Sequence, residues 1–292
     1  MPTATLLRHR TTELTSAPPR RRPRRLLIGV VGGAVILLVA GWSGLQVQPS
    51  PLPPPAVAPG EVRMVPLPDG LPAPVDRFYR TVYGDGVPVV DSAVITGRGT
   101  IRIAGLTFPA RFRFSHVSGR AYRHHIQLTA FGARLTAVDE WYVDGHARLE
   151  LPFGVSEGPN VDQGANLALW AEAVWMPSVW VTDPRVRWEP VDDTSAVLRM
   201  PFGHVEETFT VRFDPDTGLL ASMASQRFKG EDDTARTGWL NETPDWGHVD
   251  GYPVPLVATV TWADEDSPWA HLRTEQVIYG ADLDDYVRVS GP

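Results

Sequence analysis

Histidines, paired acids and closely spaced tryptophans are the side chains in this sequence whose chemistry could define a site. The histidines after residue 100 are His116, His124, His125, His146, His204, His248 and His271, and none forms an HExxH or similar ligand pair. His124 and His125 are adjacent, so on a strand they face opposite sides and do not share one metal. A metal site would have to assemble from distant segments, with Asp139 or Glu140 adding oxygen ligands. Scattered surface histidine is the ordinary outcome, and no metal is expected.

Acid pairs such as Asp139-Glu140, Asp192-Asp193 and Glu206-Glu207 have the composition of a general acid and base, as in glycosidases. Most acid runs lie in expected turns or at strand ends, where solvated charge suffices as an explanation. No G-x-S-x-G elbow and no glycine-rich phosphate loop occurs, so no catalytic residue and no cofactor are assigned. Asn241-Glu242-Thr243 is a sequon only for a host that glycosylates.

Trp170, Trp175, Trp180 and Trp188 fall within one short stretch, and five residues at 3.6 per turn set Trp170 and Trp175 apart around a helix axis. Large aromatics of this kind close a core or line an apolar ligand cavity. The lining expected for such a cavity is Trp170, Val174, Trp175, Trp180 and Trp141.

Composition narrows the classes further. Without cysteine there is no disulfide, thiolate metal site, thiol nucleophile or lipidated thiol. Lys229 is the only lysine, which disfavours lysine chemistry. Residues 1–25 hold seven arginines and one acid, a net +6 against −7 for the whole chain, so the remainder stands at −13. That split excludes nucleic acid as the main domain's partner, because phosphate binding needs a concentrated basic face.

The arginines abut an uncharged run, Leu26 to Val47, long enough to cross a hydrocarbon core. The positive-inside rule then keeps residues 1–25 in the cytoplasm as a basic tail and sends the rest outside, making a single-pass cell-membrane protein. The run exceeds the apolar core of a cleaved signal peptide. Gly29 and Gly33 in it have the spacing of a helix-pairing motif. Residues 48–70 are a proline-rich stalk expected to hold the domain, 71–292, away from the lipid.

Within the domain, Val75, Phe78, Tyr79 and Val82 mark one face of a helix ended by Gly84. Period-two or β-rich segments follow at 93–104, 107–115, 122–130, 133–143 and 146–151, with turns at Ser118-Gly119 and Asp144-Gly145. A second helix carries Leu167, Trp170, Ala171 and Val174, with Asp162 as its cap and Pro177 as its limit. Strands resume at 186–191, 196–200, 204–213, 219–228, 254–262 and 271–280, with Asp216-Thr217-Gly218 as a hairpin turn. The fold class is α+β: one transmembrane helix, then a curved antiparallel sheet of about ten strands, a half-barrel, packed on two or three helices.

The stretch LALWAEAVWMPSVWVTDPRVRWEPVDDTSAVLRM, Leu167 to Met200, closely resembles the LAEAVWFPT and GVRWEAVDDxSA signature of a bacterial membrane-anchored family known only as a domain of unknown function. LPAPVDRFYR, WYVDGHARLEL and HVDGYPVPLVATVTW resemble it too, so the likeness spans about residues 70–280. Val257-Ala258 stand where that family has Arg-Gly, and the turn after Leu151 is remodelled. More distantly the pattern is similar to LolA-like lipoprotein and lipid carriers, whose curved sheet wraps apolar helices. That resemblance implies a membrane-tethered protein holding a hydrophobic or amphiphilic ligand between sheet and helix. The expected partners are the bilayer, through 26–47, and a lipid-like molecule. A structural or sensor module binding another envelope protein, and a hydrolase with a composite carboxylate and histidine site, are the alternatives. The balance lies with binding rather than catalysis.

Overall fold

The computed structural model describes residues 22–288, with side chains from Val30 onward. The basic tail therefore lies largely outside the described residues. The chain forms two compact units, the first ending at Trp42 and the second beginning at Ser43.

Helix α1 (Arg22–Gly44) covers most of the uncharged run. Its described flank is bare and apolar, with Val30, Ile36, Leu37 and Leu38 exposed. Among the described residues, however, no helix is long and apolar enough to cross a membrane. The expected transmembrane helix is thus not found, and Gly29 of the helix-pairing motif lies outside the described side chains.

In the second unit, β1 (Arg63–Pro66) pairs with β2 (Gly86–Val89), and between them lies α2 (Ala73–Tyr83). Pro74 in the first turn, buried Val75, Phe78 and Tyr79, and Gly84 at positive φ give α2 its start, its packed face and its stop.

Two antiparallel meanders make the main sheet. The first runs β3 (Ser92–Ile103), β4 (Leu106–Val117), β5 (Ala121–Ala130), β6 (Ala133–Val143), β7 (His146–Leu151) and β8 (Gly154–Glu157). Next come α3 (Pro159–Ala171), a 3-10 turn (Glu172–Trp175) and α4 (Val179–Thr182). The second meander runs β9 (Arg187–Pro190), β10 (Ser195–Phe202), β11 (Val205–Phe213), β12 (Leu220–Arg227), β13 (Thr237–Val249), β14 (Tyr252–Trp262) and β15 (Ala270–Tyr279). β15 pairs with β3, joining them into one sheet of 13 strands that is open between β8 and β9. The helical segment bridges that gap: α3 packs against β6, β7 and β8 of one arm and β10 and β12 of the other, so the sheet bends round it.

The main sheet adds two strands to the segments expected, β8 and β13 (TGWLNETPDWGHV). β13 is the longer of the two. It keeps its pairing by bulging around Thr243 and Pro244, the place where proline fits a ladder. Asp162 does not cap α3. Gly158 precedes the helix, and Asp162 instead accepts from the Ala147 amide at 2.6 Å, fixing α3 to β7.

The stalk does not hang free. The guanidinium of Arg98 donates to Pro49 O at 3.0 Å, that of Arg111 to Ser50 O at 3.0 Å, and that of Arg113 to Pro53 O. These arginines share the outer face of β3 and β4, opposite buried Phe112 and Phe114. An extended proline-rich chain leaves its carbonyls without internal partners, and the arginines take them up. At the other end of this strap Gly60 N bonds Tyr279 O at 3.0 Å.

Candidate functional site

A two-lobed cleft lies between the inner face of the sheet and the helical segment. Its inner lobe has a volume of about 110 Å³ and runs beneath Ala168, Ala171, Val174 and Trp175. Its outer lobe, about 520 Å³, opens between the β3–β4 turn, the end of β7 and the Phe228–Gly230 loop. Ile101, Ile126, Glu140, Arg227 and Trp269 border both lobes, so they meet at a common waist.

Alternation along the strands selects what faces in. On β5 these are Tyr122 and His124, on β6 Glu140 and Tyr142, and the neighbours His125, Asp139 and Trp141 face out. Of the five expected lining residues, Val174 and Trp175 border the cleft. Trp170 and Trp180 are buried away from it, the Trp180 indole N–H donating to Trp170 O at 3.0 Å, and Trp141 is on the opposite face of β6. Trp175 is held by its N–H on Thr274 Oγ1 at 2.8 Å. Trp239 and Trp269, which the sequence does not single out, line the cleft from the other arm.

A buried ion cluster closes the inner lobe. His124 Nε2 is 2.6 Å from Glu172 Oε2, and its Nδ1 is 3.4 Å from Glu140 Oε2. The Tyr122 hydroxyl donates to Glu140 Oε1 at 2.7 Å, and its ring stacks on His124 with centroids 4.0 Å apart. His116 Nε2 approaches the same Glu172 oxygen at 2.9 Å, off the line of a proper hydrogen bond.

Burial opposes the charge on His124, but Glu172, with Glu140, outweighs it and raises the imidazole to about 9. Burial likewise opposes the Glu172 carboxylate, but His124 and His116 bring it down to about 2. Burial dominates at His116 and lowers it. Near neutrality His124 is therefore a fixed cation between two anions. His116, His124 and Glu172 place ligand atoms within 4.8 Å of one another, the one group among the described residues with the donor set for a metal ion. His125 is not part of it: it bonds Asp139 at 2.7 Å on the outer face.

Arg227 marks the waist. Its guanidinium lies over Trp239 at 4.5 Å and Trp262 at 5.7 Å and packs against α3 at Gly164, where an added Cβ would sit 2.9 Å from Nε. Arg227 Nε, the indole N–H groups of Trp239 and Trp269, and the Asn241 amide nitrogen are buried without hydrogen-bond partners. All are donors bordering the cleft, and burial of Asn241 Nδ2 also removes the sequon from a glycosylating enzyme. The cleft thus offers apolar walls with unused donors at its waist and in its inner lobe, suited to a molecule with an apolar body and an accepting group.

The profile of a family of unknown function, DUF6544, matches residues 61–274. Among solved structures, a LolA superfamily protein from Nitrosomonas europaea is similar at 10% identity and TM-score 0.45, covering 76% of this chain and 99% of that one. A DUF1329 family protein from Desulfovibrio piger is similar at 13% identity and TM-score 0.41, covering 74% and 96%. A putative outer membrane lipoprotein-sorting protein domain from Vibrio parahaemolyticus is similar at 12% identity and TM-score 0.36, covering 73% and 92%. No curated protein matches.

Proposed function

The chain belongs to DUF6544, and on that premise we propose that it is a membrane-tethered, extracytoplasmic protein whose domain binds a lipid-like amphiphile in the cleft between sheet and helix. The observation that carries this reading is the pair of joined lobes, walled by Ile101, Ile126, Val174 and Trp175 and supplied with unpartnered donors at the waist and in the inner lobe. An acyl chain would run along the apolar walls while its polar group meets Arg227 and the indole N–H groups. The tether is residues 26–47, oriented by the arginines before it.

The test of the cleft uses residues 43–292, stripped of lipid and titrated with a fluorescent fatty acid. Saturable binding that Ala171→Trp weakens by about tenfold or more, by filling the inner lobe, supports the reading. Absence of saturation ends it. Sidedness is tested by protease access to a C-terminal tag: protection in intact cells with the outer surface exposed to protease places the domain in the cytosol and removes the tether.

Glu140 beside His124 in the cleft is the one observation that favours the hydrolase alternative. A general base works best with a pKa near the operating pH, and a histidine raised to about 9 between carboxylates is protonated there. The cluster instead braces the 3-10 turn against β4 and β5 through Glu172.

A further inference from the structure

The hairpins of the sheet turn at two ends, and the outer lobe opens at one of them. That mouth end holds the β3–β4, β5–β6 and β7–β8 turns, spaced two strands or about 10 Å apart. Large apolar side chains stand bare on them: Leu106 is 57% exposed, Phe131 63% and Phe153 75%, with Leu135 and Val155 exposed beside them. Scattered exposed apolar residues are ordinary, but three successive tips of one sheet edge around a cavity mouth form a patch.

Phe131 is there against local preference. Phe131 and Gly132 both have positive φ, 53° and 73°, a turn that favours Asn, Asp or Gly at its first position. The corresponding turns at the opposite end are Asp144-Gly145 and Asp250-Gly251. The chain also joins the domain at this rim. The Phe131 amide donates to Gly44 O at 2.7 Å, and Val47 lies beside Gly132, so the last residues of the uncharged run sit against the β5–β6 turn. The strap then carries the chain away along the outer face. On the other arm the mouth-end loops carry exposed Glu231, Asp232, Asp264 and Asp266, which stay in water.

We propose that the apolar tips of the β3–β8 arm dip into the surface of the bilayer that holds residues 26–47, so that the cleft opens directly onto lipid. The proposal rests on the tether and on the cleft as read above, and it commits the rim to one occupant, a lipid surface. Apolar side chains grouped around a single edge partition into the interface without a basic patch, and this rim has none of the lysine clusters that steer proteins to anionic lipid.

The absence of cysteine makes the test clean. In the full chain reconstituted into phosphatidylcholine vesicles, single cysteines replacing Leu106, Leu135 or Phe153 carry an environment-sensitive fluorophore, as do Asp193→Cys and Asp216→Cys at the opposite end. Quenching by nitroxide-labelled lipid at the first three positions and not at the last two is the expected result. Adding Phe131→Asn should then cut the quenching at Leu135 by at least half. Equal quenching at both ends, or quenching of the rim labels only by an aqueous quencher, overturns the proposal. If the chain fails to float with the vesicles, the tether falls and the rim falls with it. If the fragment 43–292 binds fatty acid while the rim labels stay in water, only the rim proposal fails.

Discussion

The two ends of the main sheet close their hairpins by different rules. At the end away from the cleft, the tight turns Asp144-Gly145 and Asp250-Gly251 have the residue types that left-handed backbone favours. Asp250 adds a bond, its carboxylate accepting from the Val277 amide at 2.9 Å. At the mouth end the same backbone geometry is carried by Ala104-Gly105 and Phe131-Gly132, with no side-chain oxygen to stabilise it. Local energetics decide sequence at the first end. At the second they are overridden, and the return at Phe131 comes from outside the turn, its amide bonded to Gly44 O and its ring against Gly44.

The largest expected effect comes from the cluster that anchors the helical segment between these ends. His124→Ala strands Glu140 and Glu172 in the interior and should cost about 3–5 kcal/mol in denaturant unfolding, far more than any change at either end. A loss below about 1 kcal/mol would mean that the cleft roof does not depend on the cluster. The same group sets an alkaline limb. Because His124 is raised to about 9 from 6.5, its stabilisation is complete below about 6.5 and is lost as pH rises through 9. His116 and Glu172, both lowered, withdraw stability as pH falls. Melting temperature against pH should therefore be bell-shaped, and His124→Gln should abolish the alkaline side.

Smaller changes compare the ends directly. Asp250→Ala removes both the favoured turn residue and the bond to Val277, for an expected loss of about 1–2 kcal/mol. Phe131→Asn should move the other way, gaining up to about 1 kcal/mol while weakening lipid contact. If Phe131→Asn destabilises the fold, the aromatic is structural and the contrast between the ends dissolves. Smallest of all, Arg288→Ala breaks an exposed pair with Asp144 at 2.9 Å and should leave the denaturation midpoint unchanged.

Much of this architecture is legible in residue patterns. β6 and β7 run over the residues that their alternation indicates, and Gly84 ends α2 as its position suggests. β13 carries no expected strand, because Pro244 breaks its alternation, and its neighbours β12 and β14 hold it in the ladder. The site is less legible for the same reason. His124 and Glu140 become partners through the β5–β6 register, and Glu172 reaches them from the helical segment, relations that no local spacing encodes. A parity count along β6 would have exchanged Trp141 for Glu140. The tryptophan cluster stands out by density, yet only Trp175 of its members borders the cleft.

The arginine-held strap sets how freely residues 48–60 can move against the globular part. With Arg98, Arg111 and Arg113 engaged, slack is taken up and the β5–β6 turn stays within a few residues of where the uncharged run ends. Released, residues 48–60 would span about 40 Å at 3.1 Å per residue, with their carbonyls returned to water. Three guanidinium groups on the back of the sheet thereby convert a loose segment into a fitted one.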